Sequence, residues 1–270
     1  MNFFCDEKPD LLLAINGTEE TLQIILARRE DESEPYSLLE TKTLIVPGRS
    51  VNFMIPSIRD SLNLFGFVPE DIKRIALISG PGSFTGLRLT FSAAAGLIAG
   101  SNGIIAGMEY LPILARGAAL ASGLPVWTIT HSRRMQVYLQ GFESMSSSEE
   151  CTPSPITPPL PVTVQEAAEI ITSYKQKLAA VTGTGIIKNS NFFDGFLEDN
   201  PQLKALPKQF NTPDPEDIIL AANHADYSRI MPVPMYLRGS DAEENLEAIT
   251  GKRGISLDEA KRILAHVTPH

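Results

Sequence analysis

At 270 residues, 43% of them hydrophobic, the chain can bury a substantial core, and its formal net charge of −9 opposes independent binding to nucleic acid. Two cysteines, Cys5 and Cys151, lie far apart and match no metal spacing, which fits a reducing cytoplasm and excludes a disulfide scaffold. The start, Met1 to Glu7, has neither a basic region nor a long apolar run, so no signal peptide is expected, and no stretch reads as a transmembrane span.

In chain order, the apolar run Leu11 to Ile15, the turn Asn16-Gly17-Thr18 and the run Thr21 to Ala27 predict a β-hairpin. Asp31 to Pro35 reads as a polar loop and Tyr36 to Val46 as a further strand. A helix is predicted from Val51 to Phe65, a strand at Ile75 to Ile78, a helix from Ser83 to about Gly100 and a short strand at Ile104 to Met108. A second lobe is expected to begin with a helix at Leu111 to Ala121, followed by strands at Val126 to Thr130 and Met135 to Phe142. Ser144 to Pro161 reads as a flexible, proline-punctuated insertion and a long solvated loop. A helix from Val164 to Leu178, a strand at Ala179 to Val181 and a glycine turn at Gly183-Thr184-Gly185 come next. Pro215 to His224 looks helical, Val233 to Arg238 extended, and Ser256-Leu257-Asp258-Glu259 is a capping box opening a short tail helix to about His266. The order predicts an α/β chain with an N-terminal lobe at 1–109, a second lobe at 110–240 and a helical tail at 241–270.

The segment Gly80-Pro81-Gly82-Ser83-Phe84-Thr85-Gly86-Leu87-Arg88 joins a strand to a helix, and its glycines offer positive φ or room for a close neighbour. It is not a P-loop, because the spacing to Gly86 is wrong and no Lys follows. In the helix behind it, Leu87, Phe91, Ala94, Ala95 and Ile98 form the expected core stripe. The opposite face holds Leu89, Ser92, Ala93, Gly96 and Gly100, where a solvent face would carry Lys and Glu. Glycines inside a helix cost roughly 1 kcal/mol each relative to Ala, so a close neighbour is expected to offset them. That neighbour is either the rest of one domain or another subunit. In the helix from Val51 the core stripe is predicted as Val51, Met54, Ile55, Ile58, Leu62 and Phe65, with Phe53, Ser57, Asp60 and Leu64 on the other side.

Gly80 to Arg88 with its alanine- and glycine-rich helix resembles the signature of the TsaB (YeaZ) family, related to the catalytic TsaD or glycoprotease family. Leu12-Leu13-Ala14-Ile15-Asn16-Gly17-Thr18 resembles that family's opening segment, and Thr130 to Tyr138 its D-A-R-x-G-E-V-Y segment. Ala180 to Gly185 and Pro234 to Arg238 resemble its later V-G-x-G and P-x-Y-L-R segments. The resemblance thus runs in order from Leu11 to Arg238. It implies a two-lobed actin-like ATPase (ribonuclease-H-like) fold of mixed sheets flanked by helices. It further implies a cytoplasmic, non-catalytic subunit that partners TsaD, with the ATPase TsaE, in making threonylcarbamoyladenosine in tRNA. Such a subunit meets tRNA only through the complex and forms homodimers when alone. The helices that pair map to Val51–Phe65 and Ser83–Gly100, with Phe53, Ser57, Asp60, Leu64, Leu89, Ser92, Ala93, Gly96 and Gly100 as contact residues.

An ATPase of this superfamily needs carboxylates to hold Mg²⁺ and orient water. Asn16, His131 and Gln136 stand at the three expected carboxylate positions, which argues against ordinary Mg-ATP hydrolysis. Asn16-Gly17-Thr18 could still offer backbone amides to a phosphate, the alternative being a plain hairpin turn. His266 and His270 read H-x-x-x-H, but Pro269 breaks the helical phase, so no metal and no cofactor are expected. His131 with Ser132 has no acid orienter legible in the sequence, so no peptidase triad can be argued. The rival readings are an ATPase or glycoprotease-type peptidase, and a homodimeric scaffold without a TsaD contact.

Overall fold

Leu11 to Ile15 is apolar at successive positions, so both faces of the strand must be covered, and all five residues are fully buried. That run lies in β1 (Asp10–Asn16), at the centre of a five-stranded sheet in the computed structural model, which describes residues 9–146, 151–174 and 178–238. Strands β2 (Thr21–Arg29) and β3 (Ser37–Ile45) continue antiparallel on one side; β4 (Ile72–Gly80) and β5 (Ile104–Glu109) run parallel on the other. The spatial order is β3-β2-β1-β4-β5. Helix α1 (Ser50–Leu64) joins β3 to β4 and α2 (Phe84–Ala99) joins β4 to β5. Met54, Ile58, Leu62, Phe91 and Ala94 of these helices pack with Leu11, Leu13, Ile15, Ile24 and Leu77 in one core.

Helix α3 (Tyr110–Ser122) leads into a second sheet with the same spatial order. Here β6 (Val126–Arg133) is central, β7 (Gln136–Phe142) and β8 (Leu160–Thr163) lie antiparallel on one side, and β9 (Ala179–Thr182) and β10 (Leu203–Ala205) parallel on the other. Helix α4 (Val164–Ser173) joins β8 to β9; α5 (Thr184–Lys188) and α6 (Ser190–Asp199) join β9 to β10. Trp127, Ile129, Val137, Leu139, Val164, Ile171 and Phe193 form the second core. Helix α7 (Pro215–Asn223) returns to pack on the first sheet and on α3, where Asp217 pairs with Arg116 in a buried ion pair. The same order of strands repeated in two sheets is the two-lobed actin-like, ribonuclease-H-like fold.

Several expectations need correction. Val51 and Ile55, assigned to the core stripe of α1, are exposed, and Ser57 and Ser61 are buried instead. The helix is apolar on two sides, so hydrophobicity alone does not fix its rotation; Ser57 turns under the helix, where its carbonyl accepts from Lys42 Nζ at 3.1 Å. Ser57 therefore does not share the outer face with Phe53, Asp60 and Leu64. Ala95 of α2 is exposed and Thr90 takes its place in the core. Helix α4 ends at Ser173, after which Tyr174 packs edge-on against Trp127 with centroids 5.2 Å apart. Gly183-Thr184-Gly185 is the start of α5 rather than a free turn.

The proline-rich insertion is also more ordered than a solvated loop where it is described. Ile156 N donates to Gly141 O at 2.7 Å and Glu143 N to Ser154 O at 2.9 Å, while Thr157 is buried and its hydroxyl accepts from Gly141 N at 3.0 Å. Leu160 and Pro161 already belong to β8. The predicted tail helix, with His266 and His270, lies outside the described residues. None of the helices in the described residues is long and apolar enough to cross a membrane.

Candidate functional site

The glycine motif packs backbone against backbone. Ser83 caps α2 in an extended conformation, its hydroxyl accepting from Gly86 N at 3.2 Å. Its own amide donates to Thr18 O at 2.6 Å, so the β1–β2 turn closes over the N-terminus of α2. A β-carbon on Gly82 would lie 2.7 Å from Thr18 Cβ, and one on Gly86 would overlap the carbonyl oxygen of Gly17. One on Gly17 would lie 2.6 Å from Thr90 Oγ1. Gly17 and Gly86 lack side chains where the two backbones touch. Gly80, at φ +117°, turns the chain out of β4, beside Met235, whose amide donates to Ser79 O at 2.7 Å. Phe84 and Arg88 stack at the start of α2, the guanidinium 4.0 Å from the ring centroid, and Thr85 is exposed.

In the Asn16-Gly17-Thr18 turn the polar side chains bond to one another and to β2. Asn16, buried in β1, donates through Nδ2 to Gln23 Oε1 at 2.8 Å and accepts from Thr18 N at 3.1 Å and Thr18 Oγ1 at 2.7 Å. Gln23 in turn donates to Pro213 O at 3.0 Å. His131 N donates to Thr184 Oγ1 at 3.0 Å, and Gln136 Oε1 accepts from Arg133 Nε at 2.8 Å. Asn16, Gly17 and Thr18 thus make the hairpin turn and its contact with α2, while His131 and Gln136 serve β6, β7 and the neighbouring α5.

Sequence reasoning missed Glu19 and Tyr110. Tyr110, buried at the start of α3, donates from its hydroxyl to Glu19 Oε2 at 2.7 Å, and Thr184 Oγ1 donates to Glu19 Oε1. Burial pushes the Glu19 carboxyl above the usual range despite these hydrogen bonds, and burial likewise pushes the Tyr110 phenol well up.

The outer faces of α1 and α2 adjoin. Val51, Ile55 and Leu64 are each more than half exposed, at 62%, 53% and 67%, and Phe53 at 37%. On α2, Ser92, Ala95, Gly96, Ala99 and Gly100 are exposed, and Leu89 and Ala93 are half-buried against the core. A β-carbon on Gly96 would meet nothing within 4 Å, so nothing within the described residues requires glycine there. Near the α1 face the charged Arg59 and Asp60 pair with each other at 3.4 Å.

Residues 49–153, which include both helices and the motif, match the family described as TsaD, tRNA N6-adenosine threonylcarbamoyltransferase. The chain is 32% identical over 127 residues to the tRNA threonylcarbamoyladenosine biosynthesis protein TsaB of Bacillus subtilis (strain 168), covering 47% of this chain and 52% of that protein. It is 33% identical over 79 residues to the protein of the same name from Escherichia coli (strain K12), covering 29% and 34%. The matches therefore span about half the length of the curated relatives or less. In structure it is similar to YeaZ from Pseudomonas aeruginosa, with a TM-score of 0.63 and 21% identity over 84% of this chain and 100% of that chain, which shows the fold. The sequence matches thus liken part of the chain to TsaB proteins and to the TsaD family, and its two sheets of like order share the fold of YeaZ.

Proposed function

We propose that this chain is a non-catalytic partner subunit in the synthesis of N6-threonylcarbamoyladenosine in tRNA, and that it acts by binding and stabilising a TsaD-like catalytic subunit. The observation that carries this reading is the outer face of α1 and α2: exposed apolar residues on one helix beside exposed small residues on the next, fixed on a sheet whose central strand β1 is buried. Small residues at Ser92, Gly96 and Gly100 let a partner helix approach closely. Phe53, Asp60, Leu64, Leu89 and Ala93 complete the face, and a second copy of the chain would use it when the catalytic subunit is absent. The chain's negative charge leaves tRNA binding to the complex, which a TsaE-like ATPase would also join, in the cytoplasm. A catalytic role of its own would need carboxylates where Asn16, His131 and Gln136 stand, and the Asn16 and Gln136 side chains are hydrogen-bonded within the fold.

The test is complementation of a TsaB-depleted bacterial strain, with the modified adenosine in tRNA measured by mass spectrometry. Restored modification is the expected result. Unchanged, low modification with a well-expressed chain would contradict the proposal.

A further inference from the structure

Strand β3 forms one margin of the first sheet, and no other strand among the described residues pairs with its outer side. Nine residues is a long edge to leave uncovered. Its register against β2 is regular from Glu40 to Ile45, shifting only before Glu40, opposite Leu26 and Ala27. Val46 N donates to Glu20 O at 2.9 Å, which sets the alternation along this stretch. The main-chain groups of Lys42 and Leu44 thus turn towards β2, and those of Thr41, Thr43 and Ile45 turn outward. Thr41, Thr43 and Ile45 are exposed, Ile45 at 80%. Glu40 and Lys42 flank Thr41 on the other face of the strand. They are held loosely in their own chain. Lys42 Nζ lies 3.7 Å from Glu40 Oε1 and donates to Ser57 O at 3.1 Å, while Glu40 Oε2 has no hydrogen-bond partner among the described residues.

We propose that β3 is a docking edge for a second copy of the chain, the two strands running antiparallel about a two-fold axis at Thr41. In that register Glu40 of each copy faces Lys42 of the other, and the two Thr41 residues meet across paired main-chain hydrogen bonds. An axis at Lys42 would set two lysines face to face, and one at Thr43 would set Lys42 against Leu44. Only the Thr41 register joins opposite charges, and like charges directly opposite each other are unfavourable. The lysine of the other copy also brings a donor to a carboxylate that its own chain leaves under-bonded. A two-fold axis normal to the sheet keeps the faces in common, so the two five-stranded sheets join into one. This edge uses none of the contact residues of the α1–α2 face, so the pairing does not depend on what that face binds.

The test is analytical ultracentrifugation of the full chain up to about 1 mM, in a Gly96→Leu background that removes any pairing through the α1–α2 face. The Gly96→Leu chain should still form dimers. Adding Glu40→Lys sets lysine against lysine at both cross-copy pairs, and adding Lys42→Glu sets acid against acid. Each should weaken self-association about tenfold. Mixed in equal amounts, the two variants recover opposite charges at both pairs and should form heterodimers as strong as the Gly96→Leu dimer. Thr41→Pro, which removes an outward N–H and leaves the bonds to β2 in place, should weaken the dimer at least as much; should Lys42→Glu fail to fold, this variant decides. A Gly96→Leu chain that stays monomeric while the wild type dimerises would place the contact on the α1–α2 face and overturn the edge pairing. A chain that is monomeric in both forms, a mixture no more associated than its components, or a Thr41→Pro dimer of unchanged strength would overturn it as well.

Discussion

Thr18 and Gly82 touch through their main chains: a β-carbon on Gly82 would overlap the carbonyl oxygen of Thr18 and fall 2.9 Å from its Cα, inside any allowed contact. The glycine motif thereby acquires a mechanical purpose. It seats the N-terminus of α2 under the first hairpin, with Thr18 O accepting from Ser83 N, and so fixes the rotation and height of the helix whose far side is exposed. The amides that a phosphate would need are partly spent on that contact.

Adding a methyl group at this contact should be costly. Gly86→Ala places its β-carbon onto the carbonyl oxygen of Gly17, where both partners are backbone and cannot turn aside. The expected loss is about 3 kcal/mol, at the upper end of overpacking effects, read as a lowered urea midpoint. Gly96→Ala, on the open face of the same helix, should gain up to about 1 kcal/mol from helix propensity. Equal effects at the two positions would contradict the close-approach reading.

Restoring a carboxylate at residue 16 should not restore hydrolysis. Asn16→Asp replaces the Nδ2 donor with an oxygen facing Gln23 Oε1, and Gln23 Nε2 is already committed to Pro213 O. The loss of this buried hydrogen bond should cost about 1–3 kcal/mol in unfolding experiments, without measurable Mg-dependent ATP turnover. Turnover in the variant would show that a single charge is all the cleft lacks.

The ion pair between Arg116 and Asp217 ties α3, at the crossing between sheets, to α7, which returns to the first. Removing one partner strands a buried charge, so Asp217→Ala should destabilise by about 3–5 kcal/mol. Arg116→Met combined with Asp217→Leu should recover most of the loss, because packed apolar groups replace a desolvated pair at little net cost. Thermal melts of the single and double variants give the comparison. A double variant as unstable as the single would mean that charge, not packing, holds α7.

Much of this fold is legible in the residues because Leu11–Ile15 and Ile75–Ile78 are unbroken apolar runs, Thr21–Ala27 is largely apolar, and Ser83 is a strong helix cap. The rotation of α1 was not legible. Val51, Phe53, Ile55 and Leu64 are as hydrophobic as Met54, Ile58 and Leu62, so only packing decides which set is covered. The short elements α6 and β10 escaped because three to ten residues carry little periodicity, and β10 exists through pairing with β9. Glu19 escaped for a different reason: a charged residue in a hairpin turn reads as solvated, and its partners Tyr110 and Thr184 are brought to it by the fold alone. The one signal available was the placement of Thr184 in the glycine turn that follows a strand.

The central claim is that the outer face of α1 and α2 binds a TsaD-like subunit, and Gly96→Leu tests it most directly. The residue faces open space, so the variant should fold with unchanged or slightly raised stability. Measured by analytical ultracentrifugation with the purified TsaD-like subunit, the wild-type chain should form a stable complex and the variant should weaken it at least tenfold. A folded Gly96→Leu variant that binds the catalytic subunit with wild-type affinity would contradict the account.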